Sequence, residues 1–107
     1  MLGIALWDLE MLYYKMICSG EWVDAGWPVL SYMELDNNRY QTKILEIRKD
    51  GIIAFAYDNI ENGTFLAEEA YPTEDELNSE KDICLQEISY DEFQEVWSCH
   101  VEKAMEQ

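Results

Sequence analysis

This chain is short of positive charge. Of its 107 residues, 7 are Lys or Arg against 23 Asp or Glu, a formal net charge of −16. A surface so poor in bases repels polyanions, which excludes nucleic acid and anionic lipid as partners. Long hydrophobic runs are missing too. No window of about 18 apolar residues exists, which excludes a membrane-spanning helix. The start, Met1 to Trp7 (MLGIALW), is apolar but stops at Asp8 and has no basic segment before it. It is read as no signal peptide, so a cytoplasmic protein is expected. Residues 1–10 read either as a loosely attached N-terminal extension ahead of Met11 or as a first strand or half-buried turn.

Cysteine is scarce and badly spaced for a framework. Cys18, Cys84 and Cys99 are an odd count, with no CxxC, and His100 is the lone histidine. That excludes a disulfide scaffold and a structural zinc site, and leaves buried, reduced thiols as the expectation. Catalytic signatures are absent as well. There is no GxSxG, HExxH, P-loop or GxGxxG. Cys99 adjoins His100, and helical neighbours do not face each other. No enzyme, no catalytic residues, no metal and no cofactor are expected.

What is present is acid on a chain that can fold. From Asp58 to Glu95 there are 13 acidic residues and one base, Lys81. Hydrophobic residues make up 49% of the chain and aromatics 13%. Such a chain buries a core and is not a disordered acidic tail. Its length fits one domain, residues 1–107.

The middle reads as strands: Leu12 to Cys18, Val29 to Leu35 and Tyr40 to Lys49, with a loop over 21–28 broken by Gly26 and Pro28. Asp50-Gly51 lies between YQTKILEIRK and IIAFAYD. That placement predicts a two-residue type I′ hairpin, with residue 49 opposite 52 and 44 opposite 57. In that register one sheet face carries Leu45, Ile47, Ile52, Ala54 and Ala56, smooth enough for a helix to lie on. The other carries Ile44, Glu46, Arg48, Ile53, Phe55 and Tyr57, large rings with interleaved charges, as expected of a half-exposed or partner-binding face. Residues 59–64 read as a turn, with Phe65-Leu66 a short strand.

Thr73 with Glu76 spells a capping box, so a short helix is expected near 74–79. Ile83 to Ile88 is a strand. Ser89 with Glu92 is a second capping box. The stripe Phe93, Val96, Trp97, His100, Val101 and Ala104 then extends a helix over about 90–105. The fold class follows: α+β, an antiparallel sheet of about five to six strands with the C-terminal helix packed on one face.

Some motifs lead to bland readings. Asp58 to Gly63 with Glu69 looks like a calcium loop, but Ile60 stands where an oxygen ligand belongs, and a strand precedes it. A hairpin turn with solvated acids is the better reading. The bases Arg39, Lys43, Arg48 and Lys49 are read as balancing acids across strands. Trp22 and Trp27 flank the 21–28 loop, as lids over the sheet edge or as anchors for a partner.

The run from Tyr13 to Trp97 resembles a family of small acidic bacterial domains of unknown function. The marks are PVLSYMELDNNRYQTKILEIRKDGIIAFAYD, GTFLAEEAYPTEDELN and ISYDEFQEVW. The family is similar in size and acidity to immunity proteins of polymorphic toxin and contact-dependent growth inhibition systems. That resemblance implies a cytoplasmic protein that neutralises one cognate toxin domain, a nuclease, by occluding its basic cleft. The expected contact residues are Glu61, Glu68, Glu69, Glu74, Asp75 and Glu76, with Trp22 and Trp27 as anchors. The chain is expected to be a monomer or weak homodimer. The rival expectation is a small ligand-binding domain or enzyme using the two-sided sheet, and a third expectation is an assembly module that homodimerises through the Phe55-Tyr57 face.

Overall fold

The computed structural model describes residues 11–106. The expectations for residues 1–10 lie outside the described residues. Six strands form one antiparallel sheet: β1 (Leu12–Cys18), β2 (Leu30–Leu35), β3 (Gln41–Ile47), β4 (Ile53–Tyr57), β5 (Ile60–Asn62) and β6 (Ile83–Glu87). The spatial order is β5-β4-β3-β2-β1-β6. β1 to β5 form a meander, and β6 returns to pair with β1. Three short helices, α1 (Glu21–Asp24), α2 (Glu74–Asn78) and α3 (Tyr90–Trp97), decorate it. The fold is α+β, as the order of elements in the sequence predicts. The 21–28 segment departs from the expected loop: its first half closes into the single turn α1.

The β3–β4 register is one residue off the expected one. Lys43 faces Tyr57, Leu45 faces Phe55 and Ile47 faces Ile53. The cause is the turn. The Gly51 N–H donates to the Arg48 carbonyl at 2.9 Å, and the Arg48 N–H donates to the Ile52 carbonyl at 2.9 Å. Gly51 has a φ of 87°, but Asp50 is not among the positive-φ residues, and type I′ needs both. Asp50 Oδ1 instead accepts from the Ile52 N–H at 3.0 Å, which holds a three-residue loop. The two-residue connection lies further on, at Asp58-Asn59, where Tyr57 pairs with Ile60 and Asp58 takes the positive φ of 51°. The expected turn at 59–64 thus contains a strand, β5, and Phe65-Leu66 is not one.

A one-residue slip moves every side chain of β4 to the opposite face. Phe55 and Tyr57 join Tyr32 and Leu45, and it is this ring-rich face that the C-terminal helix covers. Phe93, Trp97 and Val101 are buried against it. Phe93 stacks on Trp97 at 5.7 Å between centroids, and Trp97 meets Tyr57 edge-on at 5.4 Å. Phe55 is 2% exposed. The expected half-open dimerisation face is therefore filled from within the chain. Past Trp97 the helix widens into a π-turn (Ser98–Glu102) before the last helical residues, α4 (Lys103–Met105). His100 Nδ1 lies 2.9 Å from the Val96 carbonyl, within hydrogen-bonding reach of a main-chain acceptor on α3. The wider turn rotates the apolar stripe, so Val101 is buried while His100 is half-buried and Ala104 faces solvent.

The other face holds Tyr14, Met16, Met33, Leu35, Ile44, Ala56, Ile83 and Leu85. Its cover is a strap, residues 63–73, that leads from β5 towards α2. Leu66, Tyr71 and Leu77 pack into the face. Gly63, with a φ of 84°, lets the strap start close to the sheet, because an added Cβ would sit 3.0 Å from that of Ala54.

Candidate functional site

The strap is fixed to the sheet by two half-buried side chains, Gln41, whose Oε1 accepts from the Ala67 N–H at 2.9 Å, and Arg39. Arg39 Nε donates to the Tyr71 carbonyl at 2.9 Å and Nη2 to the Pro72 carbonyl at 2.6 Å. Nη1 reaches the Tyr14 hydroxyl at 3.2 Å, with the guanidinium 5.2 Å from that ring's centre. Tyr71 returns its N–H to the Arg39 carbonyl at 2.7 Å. Arg39 thus serves main-chain carbonyls and makes no ion pair, contrary to the cross-strand expectation, whereas Lys43 stands opposite Glu34 in the β2–β3 ladder, as that expectation has it. Lys43 Nζ lies 5.2 Å over the Trp97 ring. Among the described residues the one ion pair joins Arg48 to Glu46, at 2.9 Å and on the same chain segment. Among the described residues the exposed acids of the strap and of α2 therefore have no ion-pair partner.

Pinned this way, the strap holds Glu68 and Glu69 out in solvent beside Phe65, which is 68% exposed. Phe65, Glu68, Glu69, Tyr71 and Pro72 line one open recess. Phe65 and Tyr71 also line a second cavity, of about 220 Å³, between strap and sheet. Its floor includes Met16, Ser31, Ile44 and Glu46, and Trp27 stands at its rim. Burial, with lesser contributions from the Cys18 thiol and the Glu46 carboxylate, pushes the Tyr71 hydroxyl up to about 12.

The two tryptophans differ. Trp22 is half-buried, and its indole N–H donates to the Lys81 carbonyl at 2.7 Å, so it acts as a lid. Trp27 meets it edge-on at 5.0 Å and stays 42% exposed. On its other side Trp27 shares a groove with Arg48 and Lys49.

The sequence-predicted residues do not all meet. Glu61 lies on β5 at one sheet edge, and Glu74, Asp75 and Glu76 lie on α2 against β6 at the other. Five interstrand steps of roughly 4.8 Å separate those edges. Glu76 also has a local duty. Its carboxylate accepts from the Thr73 N–H at 3.2 Å and the Thr73 hydroxyl at 3.0 Å, completing the predicted capping box. The Thr73 N–H, more than anything else, holds that carboxyl below its ordinary range. The structure brings together Trp27, Glu68 and Glu69 through Phe65. It adds Glu46, expected only as one member of a half-exposed or partner-binding sheet face, and Tyr71, which nothing in the residue pattern singled out.

Other buried or exposed chemistry lies apart. Glu34 is the one buried carboxylate among the described residues, and it accepts from the Thr42 hydroxyl at 2.6 Å. Burial first, then Glu34, holds the Tyr13 hydroxyl far above its ordinary range. All three cysteines are free. Cys18 is buried as expected, but Cys84 and Cys99 are exposed. Among the described residues no group of three or more His, Cys, Asp or Glu side chains is arranged to hold a metal. Nor is any helix long and apolar enough to cross a membrane.

The family model for a domain of unknown function, DUF6881, matches residues 19–102. The chain belongs to the DUF6881 family. The match runs from the residue after β1 to the end of the π-turn and so includes the strap, Trp22, Trp27 and the covering helix. No curated protein and no solved structure matches the chain.

Proposed function

We propose that this DUF6881 protein is a protein-binding module, an immunity protein that docks on a basic toxin domain in the cytoplasm. The observation that carries the reading is the strap. Glu68 and Glu69 are exposed and without basic partners, on a segment clamped by Arg39, beside the exposed rings of Phe65 and Trp27. Unneutralised carboxylates steer a cationic partner, and rigid aromatics supply the anchoring contacts. A nuclease cleft, built to hold phosphates, is such a partner. Glu61 and the α2 acids then act at longer range, as part of the field that speeds encounter.

The rival, a small-molecule site, finds less support. Both sheet faces are covered, the cavity between strap and sheet, about 220 Å³, falls below the roughly 300 Å³ at which ligand sites begin, and the larger recesses are shallow and open to solvent.

The test is co-expression with the toxin domain encoded beside the gene, scored by growth rescue and co-purification. Reversing Glu68 and Glu69 to Lys is expected to slow association about tenfold at low salt and to flatten its salt dependence. Unchanged association kinetics would remove the strap from the interface, and failure of any basic toxin domain to co-purify would end the immunity reading.

A further inference from the structure

We infer that the cavity between the strap and the sheet is a socket for one arginine side chain of the basic partner, held between Trp27 and Phe65 with its guanidinium on Glu46. The inference rests on the toxin-binding reading for its partner, but the socket has its own evidence.

Size comes first. About 220 Å³ is too little for a drug-sized ligand and suits a single long side chain. The chemistry of the walls comes second. Trp27 and Phe65 are 42% and 68% exposed, unusually open for large rings, and both line the opening. Aromatic faces attract cations within about 6 Å, and a flat guanidinium stacks on them better than an ammonium does. The apolar stem of arginine matches Met16 and Ile44 in the floor.

The third observation is Glu46. Its side chain is 16% exposed and lines the cavity. Arg48 takes its Oε1 at 2.9 Å, and among the described residues nothing donates to Oε2. A carboxylate has about four acceptor positions, so Oε2 remains for a second guanidinium. Glu68 and Glu69 beside Phe65 favour a cation on that side of the opening, while Arg48 and Lys49 stand across Trp27 from it. A neutral aromatic side chain would fit the rings but leave that oxygen unmatched.

The experiment is a nuclear magnetic resonance titration of the full chain with acetyl-Gly-Arg-Gly-amide. Controls are the same peptide with citrulline, which keeps the shape and loses the charge, and with phenylalanine. The arginine peptide is expected to give saturable shifts at the Trp27 indole N–H and at Phe65 and Tyr71, with neither control doing so. Trp27→Ala and Glu46→Gln should each weaken it about tenfold, with thermal melts confirming that both variants fold. Equal binding of either control, or shifts confined to the acids of the strap, would overturn the socket.

The toxin domain separates the two ideas. Capture of the toxin with undiminished affinity by Trp27→Ala leaves the immunity reading standing and removes the socket. Arginine-peptide binding without toxin capture does the reverse.

Discussion

Asn78 and Leu85 are joined by two hydrogen bonds, the side-chain amide of one to the main chain of the other. Asn78 Nδ2 donates to the Leu85 carbonyl at 3.1 Å, and the Leu85 N–H donates to Asn78 Oδ1 at 2.7 Å. β6 is an edge strand, so an open N–H and C=O there invite another strand. One amide from α2 occupies both groups at the middle of that edge. Asn78→Ala is expected to lose two hydrogen bonds of about 1 kcal/mol each and to expose the edge. Light scattering over a concentration series should then show association where the parent chain shows less. Asn78→Asp, which puts a charge on the edge, should destabilise without associating. Equal scattering from all three would mean the edge is protected by something else.

Arg39 makes the second prediction. It has a φ of 69° and holds the strap through two carbonyls. Lysine carries the charge but not the fork. Arg39→Lys is expected to cost about 1–3 kcal/mol and to raise amide exchange across residues 63–73, leaving the β2–β3 ladder protected. Uniform loosening of the whole sheet would show that the clamp is global and not confined to the strap.

Much of this fold was legible because its signals are local. The two capping boxes, the apolar stripe of the last helix and the strand runs depend on neighbours a few residues apart. The face of the sheet under the helix was not legible, because it hinges on one torsion. Asp50-Gly51 satisfies the sequence rule for a two-residue turn, yet only Gly51 takes positive φ, and Phe55 and Tyr57 change sides. The site was half legible. Glu68, Glu69 and Trp27 carry charge or aromaticity that marks them. Glu46 and Tyr71 meet only because the strap crosses the sheet, a long-range event with no local signature. Phe65-Leu66 has the composition of a strand, and nothing nearby indicates that the Phe65 ring faces water.

The Tyr71 hydroxyl predicts an alkaline weakness. Its ordinary value is 10.0 and burial lifts it to about 12. The folded state thus holds the proton more tightly than the unfolded chain. Its contribution is fully present below pH 10 and is lost as pH rises through about 12. Tyr13 shifts in the same direction, so the loss is shared. Thermal melts across that window should show a smaller drop for Tyr71→Phe than for the parent chain. An identical alkaline profile would place the titrating group elsewhere.

Two phenylalanines test whether the strap face is built for packing or for display. Phe93 is 0% exposed and tilts against Tyr13 at 5.1 Å between centroids, so Phe93→Ala leaves a hole under the helix. It should cost about 3–5 kcal/mol, read as a lowered denaturation midpoint. Phe65 is 68% exposed, and Phe65→Ala should change stability by no more than about 0.5 kcal/mol. On the docking reading proposed above, such a ring serves contact with the partner. Phe65→Ala should therefore weaken toxin capture while leaving the melt unchanged. Should it instead destabilise the chain as Phe93→Ala does, the ring belongs to the core and the strap loses its claim as a docking surface.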